Sequence, residues 1–144
     1  MPNHCHNRVT FYSDDTTLIT KLHNIFKSEK VFTQFIPEPD WATTPNEKGE
    51  LATKKDPDDM MPPQFPDGKV DDRWYNWRLQ NWGTKWDCYE VDIDDSELEY
   101  GFEVTFDTAW SPPEEICHAI REQFEEVSVS WFFDEPGMEF AGYL

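Results

Sequence analysis

The stretch LEYGFEVTFDTAW (98–110) alternates without a fault, with Leu98, Tyr100, Phe102, Val104, Phe106, Thr108 and Trp110 on one side. Only a period of two residues puts all seven on one face, so the segment predicts a long strand with one buried side. A strand of this kind needs neighbours that present a matching apolar layer. KWDCYEVDI (85–93) supplies one strand before it, joined through the four-residue turn DDSE (94–97). SPPEE (111–115) after it predicts a helix start, with Ser111 as cap and Pro112 at the first helical position. Ile116, Ile120 and Phe124 give that helix its buried stripe, and VSVSWFF (127–133) follows as a strand with Val127, Val129, Trp131 and Phe133 inward.

The N-terminal part repeats the pattern. RVTFYS (8–13) is a strand, Asp14, Asp15 and Thr16 are N-cap candidates, and TLITKLHNIFKSEK places Leu18, Leu22, Ile25 and Phe26 on one helical stripe. The order β-α-β-β-α-β predicts a ferredoxin-like α+β plait, an antiparallel sheet with both helices on one face. The length of 144 residues suits one domain, 1–144. Residues 31–84 are then a long insertion between the first helix and the second strand. Seven of the eleven prolines fall there (37, 39, 45, 57, 62, 63, 66), so 37–70 is expected to be irregular. DDRWYNWRLQNWG (71–83) predicts a short helix, capped by Asp71 or Asp72 and closed by Gly83, whose Trp74, Trp77, Leu79 and Trp82 dock on the domain. The insertion is a candidate cover for the second sheet face.

Charge is distributed unevenly. Residues 1–85 hold 13 acidic and 11 basic side chains, whereas 86–144 hold 17 acidic ones and only Arg121 as a base. The total of −18 argues against direct binding of nucleic acid, whose phosphates are held by Lys and Arg. The start MPNHCHNRVTF is polar and predicts no signal peptide, and no window approaches 18 apolar residues, so no membrane span is expected. Three cysteines without CxxC spacing fit a reducing cytoplasm better than a disulfide scaffold.

Four short motifs, MPNxC at the start, NWGTKWD (81–87), FDTAWSPP (106–113) and EPGMEFAG (135–142), resemble the YubB-like family, small proteins of unknown function carried by phages and plasmids. His4 departs from that pattern, which has an aromatic residue there. The resemblance implies a mobile-element origin and a ferredoxin-like domain, and it implies no reaction.

The hairpin concentrates the charge. If Ile93 faces Leu98, then Val91 meets Tyr100, Tyr89 meets Phe102, and Asp92 lies against Glu99 on the other face. Carboxylates at alternate strand positions are roughly 7 Å apart, comparable with neighbouring phosphates on a nucleic-acid strand. Glu90, Asp92, Asp94, Asp95, Glu97, Glu99 and Glu103 are therefore candidate contacts to a basic partner. A solvated sheet face in an acidic protein explains the same pattern. Asp92, Asp94, Ser96 and Glu103 also fall at calcium-loop positions, but Glu97 stands where that loop needs glycine.

Other clusters carry less. Strand alternation aims His4 and His6 one way and Cys5 the other, which breaks up an apparent metal cluster. Cys117 and His118 lack an acid partner for nucleophilic catalysis. The tryptophans at 74, 77, 82, 86 and 110 serve as a stacking platform or as core. Lys85, Trp86, Asp87, Asp107 and Trp110 gather at one end of the sheet, either as a ligand site or as an anchor for the insertion.

Two functions follow as expectations. The first is a non-enzymatic, phage-encoded interaction protein in the host cytoplasm, a polyanion or DNA mimic that inhibits or modulates a basic host protein such as a nucleic-acid-binding or defence protein. The alternative is a small-ligand-binding domain or enzyme at the Trp-lined end, with Asp107 or Asp87 as its acid–base group. Neither calls for a metal or a cofactor. A strand left at the sheet edge can pair with another copy, which its charges discourage.

Overall fold

A computed structural model describes residues 3–54, 56, 58 and 60–144. Met1 and Pro2 of the first motif and Pro57 of the insertion lie outside the described residues. The elements run β1 (His4–Tyr12), α1 (Thr16–Lys27), α2 (Phe32–Phe35), α3 (Arg73–Asn81), β2 (Tyr89–Asp94), β3 (Gly101–Ala109), α4 (Glu114–Gln123), β4 (Ser128–Glu135) and β5 (Phe140–Tyr143). Among the described residues the strands form one antiparallel sheet of five in the order β2-β3-β1-β4-β5. The first four make the ferredoxin-like plait, and β5 extends it.

Alternation builds the core. Cys5, Asn7, Val9 and Phe11 of β1 and Phe102, Val104 and Phe106 of β3 are buried beneath Ile19, Leu22 and Phe26 of α1 and Ile116 and Ile120 of α4. Trp131 of β4 closes the layer, edge-on to Phe106. Each large apolar side chain buried here contributes about 1.5–3 kcal/mol. Asp15 is the cap of α1, accepting from the Thr17 and Leu18 amides.

The sheet departs from expectation in four places. β1 starts at His4 rather than residue 8. β3 starts at Gly101 rather than Leu98, because a Cβ at 101 would stand 2.3 Å from the Phe11 carbonyl oxygen, so only glycine lets the two strands meet. The hairpin loop is consequently 95–100, and Ile93 lies opposite Val104, not Leu98. Trp110 turns out of β3 at φ 70 and is exposed. Finally, Pro136–Met138 forms a 3₁₀ turn that reverses the chain into β5, a fifth strand beyond the four expected.

Ser111 does not cap α4. Pro113 takes that position, and the Ser111 hydroxyl donates to the Gly83 carbonyl at 2.6 Å. Gly83 closes α3 as expected, at φ 84 with its N–H bonded to the Arg78 carbonyl, and a Cβ there would meet the Glu114 nitrogen at 2.9 Å.

The insertion lies in the helix layer and not over the second sheet face. Phe32 packs edge-on against Trp82 and Phe106, and Phe35 against Phe26 and Phe124. Arg78 pairs with Glu38 at 2.7 Å and lies over the Trp74 and Trp82 rings. Among the described residues between 37 and 70, isolated bridges join Thr53 to Gln64 and Gln64 to Val70. Among the described residues the second face of the sheet is left open, with His4, His6, Arg8, Thr10 and Tyr12 of β1 exposed.

Candidate functional site

That open face is set by the parity of the strands. His4, His6, Arg8, Thr10 and Tyr12 of β1 all point outward, away from Val9 and Phe11. Register places Asp134, His6, Asp107 and Tyr89 side by side across four strands, and Phe132, Arg8, Thr105 and Asp92 in the next row. His6 Nδ1 lies 2.6 Å from Asp107 Oδ1, and His4 Nδ1 lies 2.5 Å from the Tyr89 hydroxyl. Burial, with the charge of Asp107 beside it, raises the Tyr89 pKa. The Arg8 guanidinium sits 5.3 Å from the centroid of Phe132. A cleft of about 410 Å³ opens among His6, Arg8, Glu90, Asp107, Phe132 and Asp134. Glu90 reaches it through a break in the β2 ladder, where the residue adopts φ 52 and the pairing with β3 shifts register.

The seven hairpin carboxylates are spread over an edge strand and its loop. Glu90, Asp92, Asp94, Asp95, Glu97 and Glu99 are exposed, and Glu103 is half-buried, accepting from the Thr10 hydroxyl at 3.3 Å. Asp92 pairs with Thr105 and not with Glu99, while Asp94 stands directly opposite Glu103. Asp94, Glu97, Glu99 and Glu103 border a second hollow of about 760 Å³ between the loop and the ends of β1 and β3. Asp95 differs from the rest. Its Oδ2 lies 2.9 Å from Nε2 of the buried His23 on α1, whose ring stands edge-on to Phe102. The hydrogen bond from His23 holds the Asp95 pKa below its ordinary value. Asp95 therefore ties the loop to the helix layer. Among the described residues no group of three or more His, Cys, Asp or Glu side chains is arranged to hold a metal ion.

The Trp-lined set does not converge. Asp87 turns into the insertion, where its carboxylate accepts from the Val31, Phe32 and Cys88 amides at 3.0, 3.1 and 2.7 Å. It anchors the start of α2. Asp107 is instead on the open face with His6. Lys85 Nζ stacks over Trp86 at 4.5 Å, Trp86 stands edge-on to Tyr89, and Trp110 donates its backbone N–H to the Asn3 carbonyl. The Cys–His pair is separated as well, since Cys117 is buried, with its pKa raised by burial, while His118 is exposed.

The motif residues meet in a polar network at the same end of the sheet. Trp131 Nε1 donates to Asn7 Oδ1 at 3.0 Å, Asn7 Nδ2 to Thr108 Oγ1 at 3.0 Å, and the Thr108 hydroxyl to the Ser111 carbonyl at 2.7 Å. Thr84 Oγ1 donates to the Ala109 carbonyl at 2.8 Å. NWGTKWD and FDTAWSPP are thus joined through backbone carbonyls, a reason for hydroxyl residues at these points. Cys5 lies beside this network, its thiol pushed up to about 11 by burial.

Pairing of His6 with Asp107 and of His4 with Tyr89 escaped sequence reasoning because the partners are far apart along the chain. The available signal was parity, which put His4, His6 and Arg8 opposite the core residues of the same strand.

Residues 85–144 match the family model described as a ferredoxin-like domain in Api92-like protein. No curated protein matches the chain. Among solved structures, the crystal structure of protein api92 from Yersinia pseudotuberculosis is similar at 15% identity and a TM-score of 0.45, over 55% of this chain and 27% of that one. The α+β plait of this chain is thus a ferredoxin-like domain whose residues 85–144 are similar to the ferredoxin-like domain of Api92-like protein.

Proposed function

We propose that the domain is a non-enzymatic interaction protein that presents its carboxylate-rich β2 edge and hairpin loop to a basic partner. The observation that carries this reading is the lack of neutralisation. Among the described residues, Glu90, Asp92, Asp94, Glu97 and Glu99 are exposed, and none forms an ion pair with Lys or Arg. Asp94 opposite Glu103 costs about 0.2–1 kcal/mol in an antiparallel sheet, a cost that a basic partner reverses. The motif resemblance to the YubB-like family supports the finer reading: a phage or plasmid product in the host cytoplasm that imitates a polyanion and occupies a nucleic-acid-binding or defence protein. Opposite charge speeds encounter and makes it sensitive to salt.

Immobilised protein incubated with bacterial lysate tests the proposal. Basic nucleic-acid-binding proteins should be retained at low salt, released by added duplex DNA, and lost when Asp92, Glu97 and Glu99 are changed to Lys. Asp95 is left intact because it holds the loop. Retention that is indifferent to DNA and to the three substitutions contradicts the reading.

A further inference from the structure

The far edge of the sheet is built differently. The segment 136–144 contains one charged residue, Glu139, in a chain of net charge −18. Exposed apolar side chains cluster there: Met138, Phe140 and Tyr143 are 61%, 49% and 71% exposed. Phe140 leans on Phe133 and Tyr143 on Phe132, so both are held in place. The hydrogen bond from the Leu144 amide to the Trp131 carbonyl fixes the ladder phase. Phe140, Gly142 and Leu144 turn their backbone groups toward β4, as the pairing of Glu135 with Phe140 and Phe133 with Gly142 requires. Ala141 and Tyr143 then point their N–H and C=O groups outward, and among the described residues nothing bonds to them. An edge without charge, proline or bulge is open to strand addition.

From this we infer that β5 pairs antiparallel with β5 of a second copy, about a two-fold axis at Gly142. The segment is complementary to itself in that register. Ala141 exchanges both backbone hydrogen bonds with Tyr143 of the second copy, and Tyr143 with its Ala141. Phe140 lies across from Leu144 of the second copy, twice over. Gly142 meets its own counterpart on the axis, where the absence of a side chain leaves room for the flanking rings. No charged residue lies within the paired segment, although Glu139 precedes it and Asp134 stands beside Ala141 on β4. The carboxylates of β2 stand four strand spacings away, about 19 Å, beyond the screening length of about 8 Å in physiological salt. Two strongly acidic chains can therefore approach along this edge. A strand pair this short buries less than the roughly 1,200 Å² of a standard interface, so the dimer is weak. The inference does not depend on the identity or existence of a basic partner.

Sedimentation velocity from about 1 to about 500 µM, a range that brackets micromolar dissociation constants, tests it. The wild type should pass from monomer to dimer across that range, and added salt should favour the dimer by screening repulsion. Ala141→Pro removes an outward N–H at a position where an edge strand tolerates proline, and it should hold the protein monomeric. Phe140→Lys, which sets a charged ammonium against Leu144 of the second copy at both ends of the pairing and removes the apolar contact, should do the same, with circular dichroism and thermal unfolding verifying that each variant is folded. Asp92→Lys on the opposite edge should leave the dimer unchanged. A wild type that stays monomeric at the highest concentration overturns the inference. So does a dimer that survives in folded Phe140→Lys, or one that Asp92→Lys abolishes.

Discussion

At one edge of the sheet, β2 exposes Glu90, Asp92 and Asp94 and breaks its ladder at Glu90; at the other, β5 exposes Phe140 and Tyr143 and is uncharged from end to end. The two strands also differ in what ties them down. β2 is fastened by acids, Asp87 to the α2 amides before it and Asp95 to His23 after it. β5 is fastened by a base, since Arg121 Nη2 donates to the Val129 and Leu144 carbonyls. A charged, bulged edge resists another β-strand but attracts opposite charge, whereas a neutral, regular edge does the reverse. One sheet can therefore offer two surfaces that do not compete.

Removing the tie before β2 should have the largest effect on stability. Asp87→Ala leaves the Val31 and Phe32 amides without their acceptor and should destabilise by about 2–3 kcal/mol, read as a shift in the denaturant midpoint. Arg121→Ala, at the β5 side, should cost less, about 1–2 kcal/mol, and it should raise the protection loss of β5 amides in hydrogen exchange without touching β2. If Arg121→Ala loosens both edges equally, the strands are not separately held.

Changes to the charge of β2 should act in the opposite sense. Asp94→Asn keeps the oxygen that accepts from Ser96 but removes the repulsion from Glu103. It should stabilise by about 0.2–1 kcal/mol, an increment visible in thermal unfolding and diminished by salt. The smallest effect belongs to pH. Because the Asp95 pKa is lower folded than unfolded, its contribution is present above the ordinary value of 3.8 and disappears as pH falls through the folded value. Asp95→Asn should lower stability slightly in the neutral range and flatten the acid limb below about pH 4, where the variant and the wild type converge.

Periodicity carried the plait because it is a local property: each strand and helix announces its buried face within about ten residues. The hairpin register shows where that stops. Facing Ile93 with Leu98 or with Val104 keeps the parity of Ile93, so its buried stripe does not choose between them, and the break at Glu90 that turns Tyr89 to the open face has no periodic signal. β5 was missed because FAGY has no run of alternating apolar residues, and Pro136-Gly137 marks a bend without stating how far the chain turns. The position of the insertion was hidden in a single carboxylate, Asp87, which looked like a catalytic candidate and is bound to backbone 55 residues away. On the open face, the alternation of His4, His6 and Arg8 was legible, but their partners Tyr89, Asp107 and Phe132 arrive only through strand order.

The most direct test measures both edges on one variant. In the protein carrying Lys at 92, 97 and 99, capture of basic, DNA-displaceable proteins and the sedimentation dimer are followed side by side. The account predicts that capture is lost while the concentration dependence of the dimer is unchanged. Loss of both, or retention of capture, would contradict a sheet with two independent working edges.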